Sequence, residues 1–198
     1  TSAILEAEIL LSAVLKKSKE FILTNPQIKI TKAQEKTYKS LIQKRIKFEP
    51  IAYLTGEKEF YGLRFIVNKN VLIPRPETEL LVDEIINLVK KSAIWNLKSL
   101  PAPAGEIVIV DVGTGSGAIA VALKKYLPQA KIIATDNSIS ALKVAQTNAR
   151  LNKTEVQFIY SDLISKVKDK IDIIAVNLPY LPIEEKNSKN IFFRSLKY

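Results

Sequence analysis

Asp111-Val112-Gly113-Thr114-Gly115-Ser116-Gly117 is the stretch from which the rest of this chain can be read. It follows the apolar run Ile107-Val108-Ile109-Val110 and opens the helical pattern Ala118 to Tyr126. A continuous apolar run is what a parallel strand buried on both faces requires. Glycines placed directly after it let the backbone turn sharply and come close to a ligand, while the free amides at the start of the next helix face that ligand. The plainer reading is a glycine turn that only packs strand on helix. It explains less, because strand, loop and helix fall in the order a nucleotide-binding unit needs.

Downstream the period keeps switching between strand and helix. Lys131 to Thr135 reads as a strand, Ser138 to Leu151 as a helix, Glu155 to Tyr160 as a strand and Ile171 to Val176 as a fourth strand. Such alternation predicts a parallel α/β sheet. The loop spacing is Gly-x-Gly-x-Gly with an acid at the strand end, not the Gly-x-Gly-x-x-Gly of dinucleotide sites, which favours a nucleoside such as S-adenosylmethionine over a pyrophosphate. Asp136 ends the second strand, where such folds place a carboxylate that accepts both ribose hydroxyls; its competing role is to cap the helix from Ser138, which Ser138 could do equally well. Asp162 ends the third strand and could accept from an adenine amino group with Leu163 against the ring, or could simply cap its loop. Asn177-Leu178-Pro179-Tyr180 follows the fourth strand at the carboxyl edge of the sheet. There an amide oxygen and a backbone carbonyl can accept both hydrogens of a planar substrate amide, and an aromatic ring can stack on it. A strand-terminating turn is the alternative. Orienting a poorly nucleophilic nitrogen toward a methyl sulfonium is catalysis by position and electrostatics.

Upstream the character changes. Phe60 to Val67 alternates like a strand, Asn68-Lys69-Asn70 turns, and Val71-Leu72-Ile73 runs back toward Pro74-Arg75-Pro76, so a hairpin is expected. Glu77 to Lys91 places Leu80, Leu81, Ile85, Ile86 and Val89 at helical spacing, and 101–105 reads as a short linker. The first residues give a helix over 3–18, a break at Asn25-Pro26, and a second helix from Thr31 with Gln34 and Glu35 near the capping-box position and Tyr38, Leu41, Ile42 and Ile46 on one face.

Composition limits the chemistry. The 198 residues are 47% hydrophobic and 25% charged, enough for a packed core, and contain no His, Cys or Met. Disulfides, thiolate metal sites, Cys nucleophiles and His bases are excluded, and no metal is expected. No apolar run reaches membrane-spanning length and Thr1-Ser2-Ala3-Ile4-Leu5-Glu6 lacks a basic region followed by an apolar core, so a cytoplasmic location is expected. The net charge of +10 is spread along the chain and heaviest over residues 1–50. Without a dense basic stripe or interleaved aromatics it reads as a solvated lysine-rich surface rather than a nucleic-acid footprint.

Together these residues resemble the class I S-adenosylmethionine methyltransferases, and more narrowly the peptide-chain release factor glutamine N5-methyltransferases (the PrmC/HemK family). The narrow match lies in Glu49-Pro50-Ile51-Ala52-Tyr53-Leu54-Thr55-Gly56 with Glu59-Phe60, in Val71-Leu72-Ile73-Pro74-Arg75-Pro76-Glu77-Thr78-Glu79, and in Asp111 to Ala120. The resemblance implies a small all-α N-terminal substrate-docking domain (1–56), a β-hairpin linker (57–76) and a Rossmann-like α/β methyltransferase domain (77–198). It implies methyl transfer from S-adenosylmethionine to the glutamine amide of the release factors' Gly-Gly-Gln motif, by a monomer. Gly113, Thr114, Gly115, Ser116 and Gly117 would cradle the methionine part, Asp136 the ribose, and Asp162 and Leu163 the adenine. Asn177, Leu178, Pro179 and Tyr180 would grip the glutamine amide, with Asn177 also beside the cofactor and Thr78 near the transferred methyl. Two departures accompany it. Leu178 stands where the family has a proline, which leaves the loop less preorganised and predicts slower turnover. A complete sheet of that class has more than four strands, so a fragment or truncated homologue is expected, missing part of the front and of the sheet. The alternatives are an amino-group methyltransferase acting on a nucleobase and a non-catalytic cofactor- or protein-binding remnant.

Overall fold

The structure is a computed structural model that describes residues 3–95 and 107–178. Four helices come first: α1 (Ala3–Leu15), α2 (Lys19–Thr24), α3 (Lys32–Ile46) and α4 (Ile51–Thr55). The expected pair is thus four, because Ser18 accepts from the Phe21 N–H and starts a short helix before the break at Asn25. In α3 the capping box forms as read: Thr31 accepts from the Gln34 N–H, and the Gln34 side chain accepts from the Thr31 N–H. Its inner face is Tyr38, Leu41, Ile42 and Arg45, while Ile46 is exposed, a correction to the expected face. Arg45 meets Glu6 of α1 through both Nε (2.7 Å) and a terminal nitrogen (2.8 Å), a forked pair that fixes how the two helices cross.

The hairpin also differs from the sequence reading. Its strands are β1 (Glu57–Phe60) and β2 (Leu63–Ile66), antiparallel with Glu57 opposite Ile66 and Phe60 opposite Leu63. Tyr61 (φ 53°) and Gly62 (φ 68°) both take left-handed backbone, as a two-residue hairpin turn of matching twist requires. The alternation read from Phe60 to Val67 therefore runs across the turn. Asn68 does initiate a turn, accepting the Asn70 N–H at its own side chain, but Val71-Leu72-Ile73 pairs with no described strand. Instead Tyr53 of α4 donates its hydroxyl to the Val71 carbonyl (2.7 Å), and Val67, Val71, Ala52 and Tyr53 pack with Ala141 and Val144. This cluster joins the helical part to the α/β part.

A 3-10 turn (Pro76–Thr78) leads into α5 (Glu79–Trp95). Among its described side chains Val82, Ile85 and Ile86 are buried, and Leu80, read at helical spacing with Leu81, Ile85, Ile86 and Val89, is 67% exposed. The helix is rotated so that Val82 takes the inner position, and Glu79 accepts the Tyr61 N–H from the hairpin turn (2.7 Å). After this come β3 (Val108–Val112), α6 (Ala118–Tyr126), β4 (Lys131–Asp136), α7 (Ile139–Leu151), β5 (Gln157–Tyr160) and β6 (Ile173–Val176), close to the expected boundaries.

The four strands are parallel in the order β5-β4-β3-β6. Side chains alternate across the sheet. Ile109, Ile132, Ala134 and Ala175 pack under α5, α6 and the hairpin's Phe60 and Phe65, whereas Val110, Val112 and Ile133 meet Val167 and Ile171 on the other face. The strand order matters for function. The chain steps outward from β3 through β4 to β5, then returns to the far side of β3, so a crevice opens at the carboxyl ends of β3 and β6, where ligands of open α/β sheets bind. No helix among the described residues is long and apolar enough to cross a membrane.

Candidate active site

The loop after β3 is built from backbone that only glycine adopts without strain. Gly113, Gly115 and Gly117 have φ of 69°, 55° and 80°, all in the left-handed region. A Cβ at Gly117 would lie 3.0 Å from the Ala145 side chain and 3.1 Å from its Cα, so this residue lets α7 pack directly against the loop. A Cβ at Gly113 would collide with Leu178 Cδ2. The first glycine and the loop after β6 therefore close on each other at the crevice.

Hydrogen bonds hold the loop open toward that crevice. The Thr114 N–H donates to the Thr135 carbonyl (2.9 Å), the Gly117 N–H to the Thr114 carbonyl (2.8 Å), and the Gly115 N–H to Asp136 Oδ2 (2.9 Å). Asp136 Oδ1 accepts the Ser138 N–H (2.9 Å), while Ser138 Oγ accepts the Ala141 N–H. Ser138 is thus the cap of α7, and Asp136 is released from that role. It instead stands at the end of β4 with one oxygen on the glycine loop.

Asp111 carries the most unusual chemistry in the site. It is 1% exposed, and its Oδ2 accepts from the Thr114 hydroxyl (2.6 Å) and the Ala120 N–H (3.2 Å). Its Oδ1 is buried and has no hydrogen-bond partner among the described residues. Burial pushes its carboxyl up to about 6, against the lowering by Thr114 and Ala120, and the nearby Asp136 charge adds to the rise. A buried carboxylate with one unanswered oxygen is costly unless a positive group approaches it. An acid at the end of an otherwise apolar strand marks Asp111 in the sequence as part of a nucleoside-binding loop, but its burial and its one unanswered oxygen are visible only in the fold.

Asp162 and Leu163 follow β5 on the same sheet edge. Asp162 is exposed, its carbonyl accepts the Ser165 N–H (3.1 Å), and Leu163 is 54% exposed with φ 47°. Left-handed backbone at a leucine costs about 1–2 kcal/mol, which the local turn sustains. On the other side of β3, Asn177 Nδ2 donates to Thr78 Oγ1 (3.0 Å). This bond brings the Pro-Arg-Pro-Glu-Thr turn onto the loop after β6, a juxtaposition across 99 residues that no local pattern reveals. Pro179 and Tyr180 lie outside the described residues. Asn148 of α7 was not singled out in the sequence, yet it is fully buried and donates to the Ser116 carbonyl (2.8 Å).

The residues present fit S-adenosylmethionine. Left-handed glycines at a switch point leave the backbone of the loop bare of side chains for its methionine part, a carboxylate at the end of the next strand suits ribose hydroxyls, and the unanswered Asp111 oxygen suits an approaching cation.

Residues 93–194 match the model of the methyltransferase small domain, and residues 1–56 that of the PrmC N-terminal domain. The release factor glutamine methyltransferase of Buchnera aphidicola subsp. Schizaphis graminum is 44% identical over 191 residues, covering 95% of this chain and 65% of that protein. Its counterpart in Coxiella burnetii is 39% identical over 189 residues, covering 94% and 64%. A bifunctional methyltransferase of Rickettsia typhi is 43% identical over 191 residues, covering 92% and 37%. The chain thus spans just under two thirds of the first two relatives and a smaller share of the third. Among solved structures, ribosomal protein L11 methylase from Lactobacillus delbrueckii subsp. bulgaricus aligns at 27% identity with a TM-score of 0.40, covering 52% of this chain and 47% of that one.

Proposed function

We propose, for a chain that belongs to the methyltransferase small domain family, that it transfers a methyl group from S-adenosylmethionine to the side-chain amide nitrogen of the glutamine in the Gly-Gly-Gln motif of peptide-chain release factors, in the cytoplasm. The observation that carries this reading is the Asn177–Thr78 bond at the mouth of the glycine cradle. It puts an oriented carboxamide at the carboxyl end of β6, beside the loop suited to the cofactor. The 44% and 39% identities to proteins named release factor glutamine methyltransferase support the substrate.

Within this reading the site divides into holding and orienting groups. Gly113 to Gly117 hold the methionine part, Asp136 the ribose, and Asp162 with Leu163 the adenine. Asp111 offsets the positive charge of the amino-acid end from beneath the loop, and that charge in turn keeps Asp111 ionised. When bound, S-adenosylmethionine supplies an electrophilic methyl on a sulfonium. Asn177 donates an Nδ2–H hydrogen bond to Thr78 Oγ1, so the orientation of its carboxamide is set. Its Oδ1 and the Leu178 carbonyl accept the two N–H groups of the substrate amide. With both hydrogens held, the nitrogen presents its face rather than its edge, which a conjugated and weakly nucleophilic amide needs. As the nitrogen–methyl bond would form and the methyl–sulfur bond break, the nitrogen would release one proton to solvent water, and the Asn177 and Leu178 oxygens would stabilise the positive charge that builds on its N–H groups until then. Pro179 and Tyr180 complete the proposed grip. The division into a docking part (1–56), a hairpin linker (57–76) and a catalytic part (77–198) assigns selection of the protein substrate to the helices.

Incubation with methyl-labelled cofactor tests the proposal, using a purified release factor, its Gln→Ala variant in the Gly-Gly-Gln motif, and total RNA side by side. Label on the unaltered release factor alone is expected. Label in RNA, or equal label on the Gln→Ala variant, overturns it.

A further inference from the structure

Asn148 sits in the last turn of α7 on the face formed by Ala141, Leu142, Val144, Ala145 and Ala149, all buried, and is itself 0% exposed. An amide among apolar neighbours is stable only if its hydrogen-bonding groups are answered. Here they are. Oδ1 accepts the Ile66 N–H (2.6 Å), and Nδ2 donates to the Ile66 carbonyl (2.9 Å) and to the Ser116 carbonyl (2.8 Å). Ile66 is the last residue of β2, opposite Glu57, so the carboxamide acts as one more strand residue along the hairpin's outer edge. Ser116 lies inside the glycine loop. One side chain therefore ties the hairpin to the loop. One turn earlier on the same face, Ala145 is the atom group that a Cβ on Gly117 would strike.

We propose that Asn148 is a positioning residue for the cofactor: its carboxamide sets the glycine loop from Ser116 and couples that loop to the hairpin through Ile66. The inference rests on the reading of the loop as the S-adenosylmethionine cradle. It differs from a general packing role because the geometry is specific to a donor facing two carbonyls. Asn148→Asp keeps the shape and the acceptor for Ile66 but turns an oxygen toward both carbonyls. Asn152, one turn further on, is the control: its Nδ2 donates to the Arg64 carbonyl of the same hairpin (2.9 Å) and to the main-chain carbonyl of Asn148 (2.9 Å), touching the hairpin and the helix but not the loop.

Calorimetric titration with S-adenosylmethionine, which needs no turnover, separates the cases. Asn148→Asp is expected to weaken binding by about tenfold or more, and Asn152→Ala to leave it within about twofold even where both lower the melting temperature equally. Equal losses in the two variants, or a folded Asn148→Asp that binds like the unaltered protein, overturn the positioning role while leaving the cofactor reading intact. An unaltered protein that binds no S-adenosylmethionine overturns both. Should Asn148→Asp fail to fold, amide exchange in the unaltered protein decides the matter. Adding cofactor is expected to slow exchange at Ile66 by about tenfold and at Val67, which bonds to Gly56, by less than about twofold; no slowing at Ile66 overturns the coupling.

Discussion

Asp111 makes the site sensitive to pH in a direction set by its burial. Its carboxyl titrates near 3.8 when unfolded and at about 6 in the fold. Between those values the folded chain holds a proton that the unfolded chain has released, so stability is full below the unfolded value and falls as pH rises toward 6. Asp111→Asn removes this loss. Its melting temperature relative to the unaltered protein is expected to be higher at pH 7 than at pH 4, reflecting up to about 3 kcal/mol; a difference that stays constant with pH contradicts the account. Leu178 carries the second expectation at this scale. Leu178→Pro restricts φ at this residue and the backbone of Asn177 before it. It should raise kcat by about two- to fivefold with little change in KM for the cofactor, and steady-state kinetics showing no change in kcat would contradict the preorganisation argument. That Asp136 and Asn177 stand at the ends of strands was legible because the apolar runs before them stop there. The Asn177–Thr78 bond joins distant segments and left no local trace. Asn148 left one: it is the polar residue on the apolar stripe of α7.

Helix ends and turns account for what the sequence concealed among the elements. Phe48 (φ 64°) follows the C-cap of α3, and Lys153 (φ 55°) follows that of α7. In both, the two closing bonds of a left-handed helix terminus are present: Phe48 to Arg45 (2.8 Å) with Glu49 to Lys44 (3.2 Å), and Lys153 to Arg150 (3.1 Å) with Thr154 to Ala149 (2.9 Å). Glycine is the usual residue at such a position; its absence left the end of α3 unmarked, whereas the end of α7 at Leu151 was read from the apolar period. Phe48 is 86% exposed, so little packing is lost on its removal. Phe48→Gly is expected to stabilise the protein by about 1 kcal/mol, and a lower melting temperature would mean that the ring has a folded-state partner. Conversely Thr31→Ala, which breaks a reciprocal cap that the sequence did announce, should cost about 1 kcal/mol. The hairpin was misplaced for a related reason. Tyr61 occupies the first left-handed position, where Asn or Asp would have marked the turn.

At the scale of the whole molecule, a helical part and a parallel sheet meet through Tyr53, Val71 and α7. The alternation of strand and helix from β3 onward made the sheet readable, whereas the order of strands, and with it the crevice between β3 and β6, follows from tertiary pairing alone. The charge of +10 belongs to this scale too. If it steers an acidic protein substrate, replacing Lys16 and Lys17 by Gln should raise KM for the release factor at low salt, by about two- to threefold, and have no effect at high salt; a salt-independent KM would assign the charge to solubility. The central claim concerns the atom that receives the methyl group. Tandem mass spectrometry of a release factor incubated with this protein and S-adenosylmethionine locates it directly. One added methyl on the side-chain amide of the Gly-Gly-Gln glutamine is the expected result, and a methyl on any other residue, or none under conditions where the cofactor binds, contradicts the account.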